Sequence, residues 1–218
     1  MLFPALPFLL ISILHVLGEV ANSRMIRHGT KPLLMPLLAF FYILTEFNFS
    51  FLFIAALAGG WVGDLFLMLP DKGNKKTWFK LGLISFLVGH LFYVMAFFKK
   101  GSLSALFSPA FIPAMGFLLF GFLVFLGMKN FMGKLFGPIT VYIAVIALMG
   151  VSTTLCFGIQ PRNAVWISLL GALIFMISDT MNAWNRFVKV IPHERVLTMT
   201  SYLAGQFFLV LGYVQFTA

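Results

Sequence analysis

Two carboxylates stand inside runs of apolar residues, Asp64 in Gly63-Asp64-Leu65 and Asp179 in Ser178-Asp179-Thr180. An ionisable group in hydrocarbon is expensive unless it is paired or hydrated, so each is a candidate functional residue. Two carboxylates sharing a low-dielectric site do not both ionise easily, which leaves an acid beside a base. Such a pair suits acid and base catalysis on an uncharged bond. The plainer alternative is that each Asp bonds separately to a Ser, an Asn or a backbone group and only ties helices together.

Other polar residues fall where they could serve the same site. Glu19 has His15 four residues before it and Asn22 three after, a spacing that puts all three on one helical face. They could line a cavity, or His15 and Glu19 could form an ordinary internal hydrogen bond. Lys31 opens a helix in Lys31-Pro32-Leu33-Leu34-Met35-Pro36. There it could hold a phosphate head group, pair with Glu19 or an Asp, or simply snorkel to the interface. His90, in Gly89-His90-Leu91-Phe92-Tyr93, needs a partner at mid-helix. Asn182 lies three residues after Asp179 and could orient it or a water; Tyr42 and Trp184 could be cavity walls or belt aromatics at the membrane interface, and the belt is the preferred reading. The candidate set is therefore Asp64 and Asp179 as catalytic residues, with Glu19, Asn22, Lys31, His90 and Asn182 as substrate-binding residues.

Familiar constellations are missing. The chain has no Gly-x-Ser-x-Gly elbow, no His-Glu-x-x-His and no phosphate loop. Its single cysteine, Cys156, cannot make an internal disulfide or a multi-cysteine metal site. No metal and no cofactor are expected.

The elements that must hold these residues follow from composition. The 218 residues are 61% hydrophobic and only 10% charged, far more apolar than an ordinary globular domain. Runs such as 33–44 and 111–126 are apolar on every face, which excludes the alternation of a membrane β-barrel. At about 20 residues per crossing, the expected fold is all-α: one membrane domain, 1–218, of about eight transmembrane helices. They are placed near 2–21, 32–46, 49–69, 78–98, 108–128, 134–156, 163–186 and 195–216, with breaks at Gly29 and Pro32, Pro70 to Asn74, Gly101 to Pro109, Gly133, Pro161 and Pro192. The second is short, to be tilted or packed inside the bundle. The first 20 residues hold no Lys or Arg, so the first run reads as a retained helix, not a cleavable signal.

The formal charge of +9 resides in loops. Insertion and anionic lipid account for it, and nucleic acid is not an expected partner. Arg24, Arg27, Lys31, Lys72, Lys75, Lys76, Lys80, Lys129, Lys134, Arg186, Lys189 and Arg195 fall on one side of the bundle, and Lys99, Lys100 and Arg162 on the other. Lys and Arg are retained in the cytoplasm, so both termini are expected on the opposite side. Asp64 and Asp179 then lie on two helices running toward the cytoplasm, about 7 to 10 Å from their ends at 1.5 Å per residue, where they could meet at one level. This placement allows a four-plus-four repeat, for which the sequence match itself is thin.

The segments Lys31 to Pro36, Gly63-Asp64-Leu65-Phe66-Leu67-Met68-Leu69, Phe79 through Tyr93 with Gly82, Ser85, Phe86, Gly89 and His90, and Ser178-Asp179 together resemble the YhhN family, also called the TMEM86 or lysoplasmalogenase family. The resemblance covers nearly the whole chain. It implies an eight-helix membrane enzyme that hydrolyses the vinyl ether of a lysoplasmalogen to a fatty aldehyde and glycerophosphoethanolamine or glycerophosphocholine. Asp64 and Asp179 would be the acid and base in either order, with Glu19 a third carboxylate and Lys31 near the phosphate. A compact chain of this kind fits a bacterial inner membrane with its cleft toward the cytoplasm. The rival readings are a proton-coupled transporter or lipid flippase using the same Asp pair, a non-catalytic scaffold, and an enzyme of the same fold acting on a related lipid.

The charge asymmetry makes a direct prediction. A C-terminal alkaline phosphatase fusion should be active in bacterial cells and a C-terminal green fluorescent protein fusion dark; the reverse pattern would invert the topology.

Overall fold

The computed structural model describes residues 3–46, 48–70 and 76–216, which form eight α-helices and short 3-10 turns. The helices are α1 (Leu6–Val20), α2 (Arg24–Thr45), α3 (Phe51–Met68), α4 (Thr77–Lys100), α5 (Phe111–Met128), α6 (Phe136–Thr154), α7 (Arg162–Phe187) and α8 (Glu194–Tyr213). Lys72 and Lys75 of the basic loop, most of the expected break from Pro70 to Asn74, and the expected start at residue 2 lie outside the described residues. Seven of the eight helices are long and apolar enough to cross a bilayer, and α2 is the exception. The outward surface of α5 shows why lipid is the solvent: Ile112, Leu118, Leu119, Phe122 and Leu123 are exposed, while Ala114, Phe117, Gly121, Val124 and Met128 form the buried stripe. A helix apolar all round belongs in a membrane. The chain is an integral membrane protein built as a polytopic helical bundle.

Seven of the expected helices agree with the observed ones to within a few residues, and α2 does not. Its start is Arg24 and not Pro32, so Lys31 lies in its interior and Pro32 and Pro36 are both inside the helix. The real break is three residues long. Asn22 takes the left-handed conformation, φ 50°, a region Asn tolerates better than most residues. The Ser23 N–H bonds to the Gly18 carbonyl at 2.9 Å and the Asn22 N–H to that of Glu19 at 3.1 Å. These are the two bonds of a Schellman stop. Ser23 then caps α2, its Oγ accepting from the Ile26 N–H at 3.5 Å. The Gly29 and Pro32 signals, read as a break, are carried within the helix instead.

The chain divides into two compact units, residues 1–93 and 94–218, with α4 beginning in the first and ending in the second. In the first unit α2 packs on both α1 and α3. Glycines set the close approach of α3 and α4: a Cβ on Gly59 would sit 2.6 Å from the Gly89 Cα, and one on Gly63 2.6 Å from the Phe86 ring. Ser85 Oγ adds a hydrogen bond to the Gly59 carbonyl at 2.8 Å.

In the second unit the same device joins α7 and α8. A Cβ on Gly171 would meet the Leu209 backbone nitrogen at 2.5 Å, and one on Gly205 the Phe175 nitrogen at 2.8 Å. Lipid tails are as apolar as leucine, so helices in a bilayer gain by letting small residues bring backbones together. The α7–α8 connection is tied by Asn185, whose Oδ1 accepts from the Ile191 N–H at 2.8 Å and whose Nδ2 donates to Glu194 at 3.2 Å.

This packing predicts opposite outcomes for two glycine substitutions. Gly171→Ala should cost about 1 to 3 kcal/mol by overpacking against backbone. Gly116→Ala in α5, whose Cβ would meet nothing within 4 Å, should be neutral or stabilising by up to about 1 kcal/mol. Thermal unfolding in detergent separates them, and equal effects would contradict the packing account.

Candidate functional site

In the first unit six polar side chains converge across α1, α2 and α3: His15, Glu19, Arg27, Thr30, Lys31 and Asp64. Asp64 is 3% exposed, and its Oδ1 lies 3.2 Å from the Lys31 ammonium. Of the partners the sequence allowed Lys31, the structure selects Asp64. One turn earlier on α2, Arg27 Nη1 bonds to Glu19 Oε2 at 3.1 Å. Glu19 Oε1 also lies 3.7 Å from His15 Nε2. The fully buried His15 is fixed at its other nitrogen, Nδ1, 2.7 Å from Thr30 Oγ1. The Thr30 hydroxyl spends its hydrogen on the Ile26 carbonyl, 2.7 Å away, so His15 Nδ1 is the donor to Thr30. Every link between helices here runs from α1 or α3 to the same stretch of α2.

The early start of α2 is what makes this cluster. Arg27, Thr30 and Lys31 would lie in a loop if the helix began at Pro32. As α2 is built, Arg27 and Lys31 are four residues apart on one face. The two prolines have a price in hydrogen bonds, since Pro36 has no N–H to give to the Pro32 carbonyl. The Trp61 indole N–H supplies it at 2.8 Å. Trp61 and Asp64 are three apart on α3, Lys31 and Pro32 adjacent on α2, so ion pair and indole bond together fix the α2–α3 register.

The remaining sequence candidates are placed as follows. Asn22 is exposed in the α1–α2 turn, where its conformation makes the stop described above. His90 is buried in α4, with Nδ1 2.6 Å from the Phe86 carbonyl; that oxygen can only accept, so Nδ1 is the donor. Asn182 is exposed on α7. Tyr42, expected in an interfacial belt, is instead fully buried, its hydroxyl accepting the Ser50 N–H at 2.8 Å. Asp64 lies four residues from the end of α3 and Asp179 eight from the end of α7, or about 6 and 12 Å at 1.5 Å per residue.

In the second unit Asp179 is half-buried and accepts a short hydrogen bond from the Tyr142 hydroxyl of α6. Asp179 also lines a recess among α5, α6 and α7, with Val124, Met128, Ile143, Ile146, Met176, Thr180 and Ala183. One carboxylate thus stands on an otherwise mostly apolar wall. Cys156, beyond the end of α6, donates to the Phe97 carbonyl at 3.6 Å. Burial pushes its thiol up to about 12, so it is no thiolate nucleophile at neutral pH.

Sequence reasoning missed Tyr142, Thr30 and Trp61, and counted Arg27 only as a loop charge. The signal for Arg27 was present: Arg27 and Lys31 share a helical face once Asn22-Ser23 is read as stop and cap. Tyr142 was legible only as one of two hydroxyls, with Thr140, in an apolar run.

A model of the YhhN family matches residues 26–213. "Lysoplasmalogenase TMEM86A" of Bos taurus is 30% identical over 165 residues, which cover 71% of this chain and 61% of that protein. The Homo sapiens protein of the same name is 31% identical over 157 residues, with the same coverage of 71% and 61%. "Lysoplasmalogenase TMEM86B" of Rattus norvegicus is 31% identical over 183 residues, covering 84% of this chain and 70% of that protein. The chain thus spans about three fifths of the length of the TMEM86A relatives. No solved structure matches.

The indole bond carries a prediction. Trp61→Phe leaves the Pro32 carbonyl without that donor and should cost about 1 to 3 kcal/mol, read as a lowered Tm in detergent. An unchanged Tm would show that the bond does not hold α2 to α3.

Proposed function

Because the chain belongs to the YhhN family, we propose that it hydrolyses the vinyl ether bond of lysoplasmalogens, releasing a fatty aldehyde and glycerophosphoethanolamine or glycerophosphocholine. The observation that carries this reading is the match to relatives named lysoplasmalogenase over most of the chain. The geometry supports it with two carboxylates set in apolar helices, each held by its own partner.

In the proposed mechanism a carboxyl gives its proton to the alkenyl carbon one removed from the ether oxygen. The oxygen lone pair stabilises the oxocarbenium ion that forms. The second carboxylate takes a proton from water as that water adds to the cationic carbon. The hemiacetal then collapses, breaking the carbon–oxygen bond to glycerol and leaving the aldehyde; the proton spent in the first step is returned by the water. Asp64 and Asp179 are assigned these two roles. Lys31 holds the Asp64 carboxylate and Tyr142 that of Asp179, which limits the freedom of each. The recess beside Asp179 has the apolar character an alkenyl chain requires, and Lys31, about four-fifths buried, is suited to the phosphate. Glu19 and His15 belong to the surroundings of Lys31; Asn22, His90 and Asn182 are assigned to substrate contacts on sequence grounds. With the basic loops cytoplasmic, the site opens toward the cytoplasm of a bacterial inner membrane, where the substrate is a membrane lipid.

The test is aldehyde release by purified protein in detergent from lysoplasmenylethanolamine, run beside an ester lysophospholipid. Aldehyde should come from the vinyl ether alone. Asp64→Asn and Asp179→Asn should each lower kcat by about 10²- to 10⁴-fold, the usual scale of one acid or base, and Tyr142→Phe by about tenfold, the scale of one hydrogen bond to a charged group. Full activity in either Asp variant would remove that residue from the chemistry. No aldehyde from folded wild-type protein would overturn the activity and favour proton-coupled transport.

A further inference from the structure

Arg27 and Lys31 each make an ion pair, and together they also have the features of an anion subsite. They lie one turn apart on the same face of α2, and each is tied to a carboxylate on a different neighbour, Glu19 on α1 and Asp64 on α3. Their side chains are only 16% and 18% exposed, so neither is a surface charge reaching into water. The guanidinium uses Nη1 on Glu19, while its buried Nε–H has no hydrogen-bond partner among the described residues. A buried donor of this kind without an acceptor calls for an explanation. An ammonium carries three donors, and a guanidinium fork matches phosphate oxygens.

We propose that Arg27 and Lys31 together bind the phosphodiester of the lysolipid head group, and that this phosphate takes Lys31 over from Asp64. The inference rests on the vinyl ether reading above and adds Arg27 to it as a specificity residue. Charge balance sets the logic. Without substrate, two cations face two carboxylates. A phosphodiester brings one further negative charge. Arg27 keeps Glu19 through Nη1 and offers Nε–H to the phosphate; Lys31 turns to the phosphate, and Asp64 is the group left to carry a proton for the alkenyl carbon. Head-group binding thereby sets up the acid, so binding energy far from the reacting bond appears in kcat and not only in KM.

The experiment compares lysoplasmenylethanolamine with a 1-alkenyl glycerol that has the same vinyl ether and no phosphate. Wild-type protein should turn over the phosphate-free substrate with a lower kcat, and inorganic phosphate should raise that kcat. In Arg27→Gln the activation by phosphate should vanish, and the ratio of kcat/KM for the two substrates should fall about tenfold or more, the scale of one charge-assisted hydrogen bond. Arg27→Lys, which keeps the charge, should retain part of the ratio. A merely structural role would lower both activities together and leave the ratio in place, which would overturn the proposal, as would wild-type kcat values that are equal for the two substrates. If Arg27→Gln does not fold, the activation by phosphate in wild type and the ratio in Arg27→Lys decide the matter. If wild type releases aldehyde from neither substrate, the vinyl ether reading fails by itself. Calorimetric binding of glycerophosphoethanolamine, weaker in Arg27→Lys, would then still support the anion subsite, and no binding would end it.

Discussion

A carboxylate taken out of water must meet a cation or donors for as long as it is charged, and without substrate the Lys31–Asp64 ion pair meets that demand in this protein. Breaking a buried pair by removing one partner leaves an uncompensated charge, a loss on the scale of several kcal/mol. Much of the first unit is arranged around keeping the two residues opposed. α2 must begin ahead of Lys31 for that residue to be helical, and the stop and cap at Asn22 and Ser23 start it at Arg24. Trp61 must reach the Pro32 carbonyl for α3 to hold its register, and Gly63, next to Asp64 in the chain, must lack a side chain for the Phe86 ring of α4 to pack against α3.

Glycine does in both units what hydrophobic driving force does in water. Where lipid solvates apolar side chains as well as protein does, stability comes from close backbone contact and from satisfied polar groups. α7 and α8 pack by Gly171, Gly205 and Gly212, and α3 and α4 by Gly59 and Gly89. Rigid helix pairs of this kind are the frame on which a few polar side chains can keep a fixed geometry.

Much of this was legible in the sequence. Apolar runs placed seven helices because hydropathy over about 20 residues depends little on tertiary context. Asp64 and Asp179 stood out for the same reason: a charge inside such a run has few explanations. α2 was misjudged because two prolines are strong local signals, while the partner that compensates them, Trp61, lies on another helix. The pairing of Lys31 with Asp64 and of Tyr142 with Asp179 was beyond the sequence for the same cause, since which polar groups face each other is decided by helix rotation. Arg27 was the avoidable omission, because Asn22-Ser23 carries both a helix stop and a cap.

The central claim is that a protein carboxyl transfers its proton to carbon in the step that commits the substrate. Single-turnover aldehyde release from lysoplasmenylethanolamine, measured in H2O and in D2O, tests it most directly. Proton transfer to carbon predicts a slower rate in D2O, a difference that disappears in the slow residual reaction if an Asp variant changes the committing step. Equal single-turnover rates in the two solvents for wild-type protein would contradict the account.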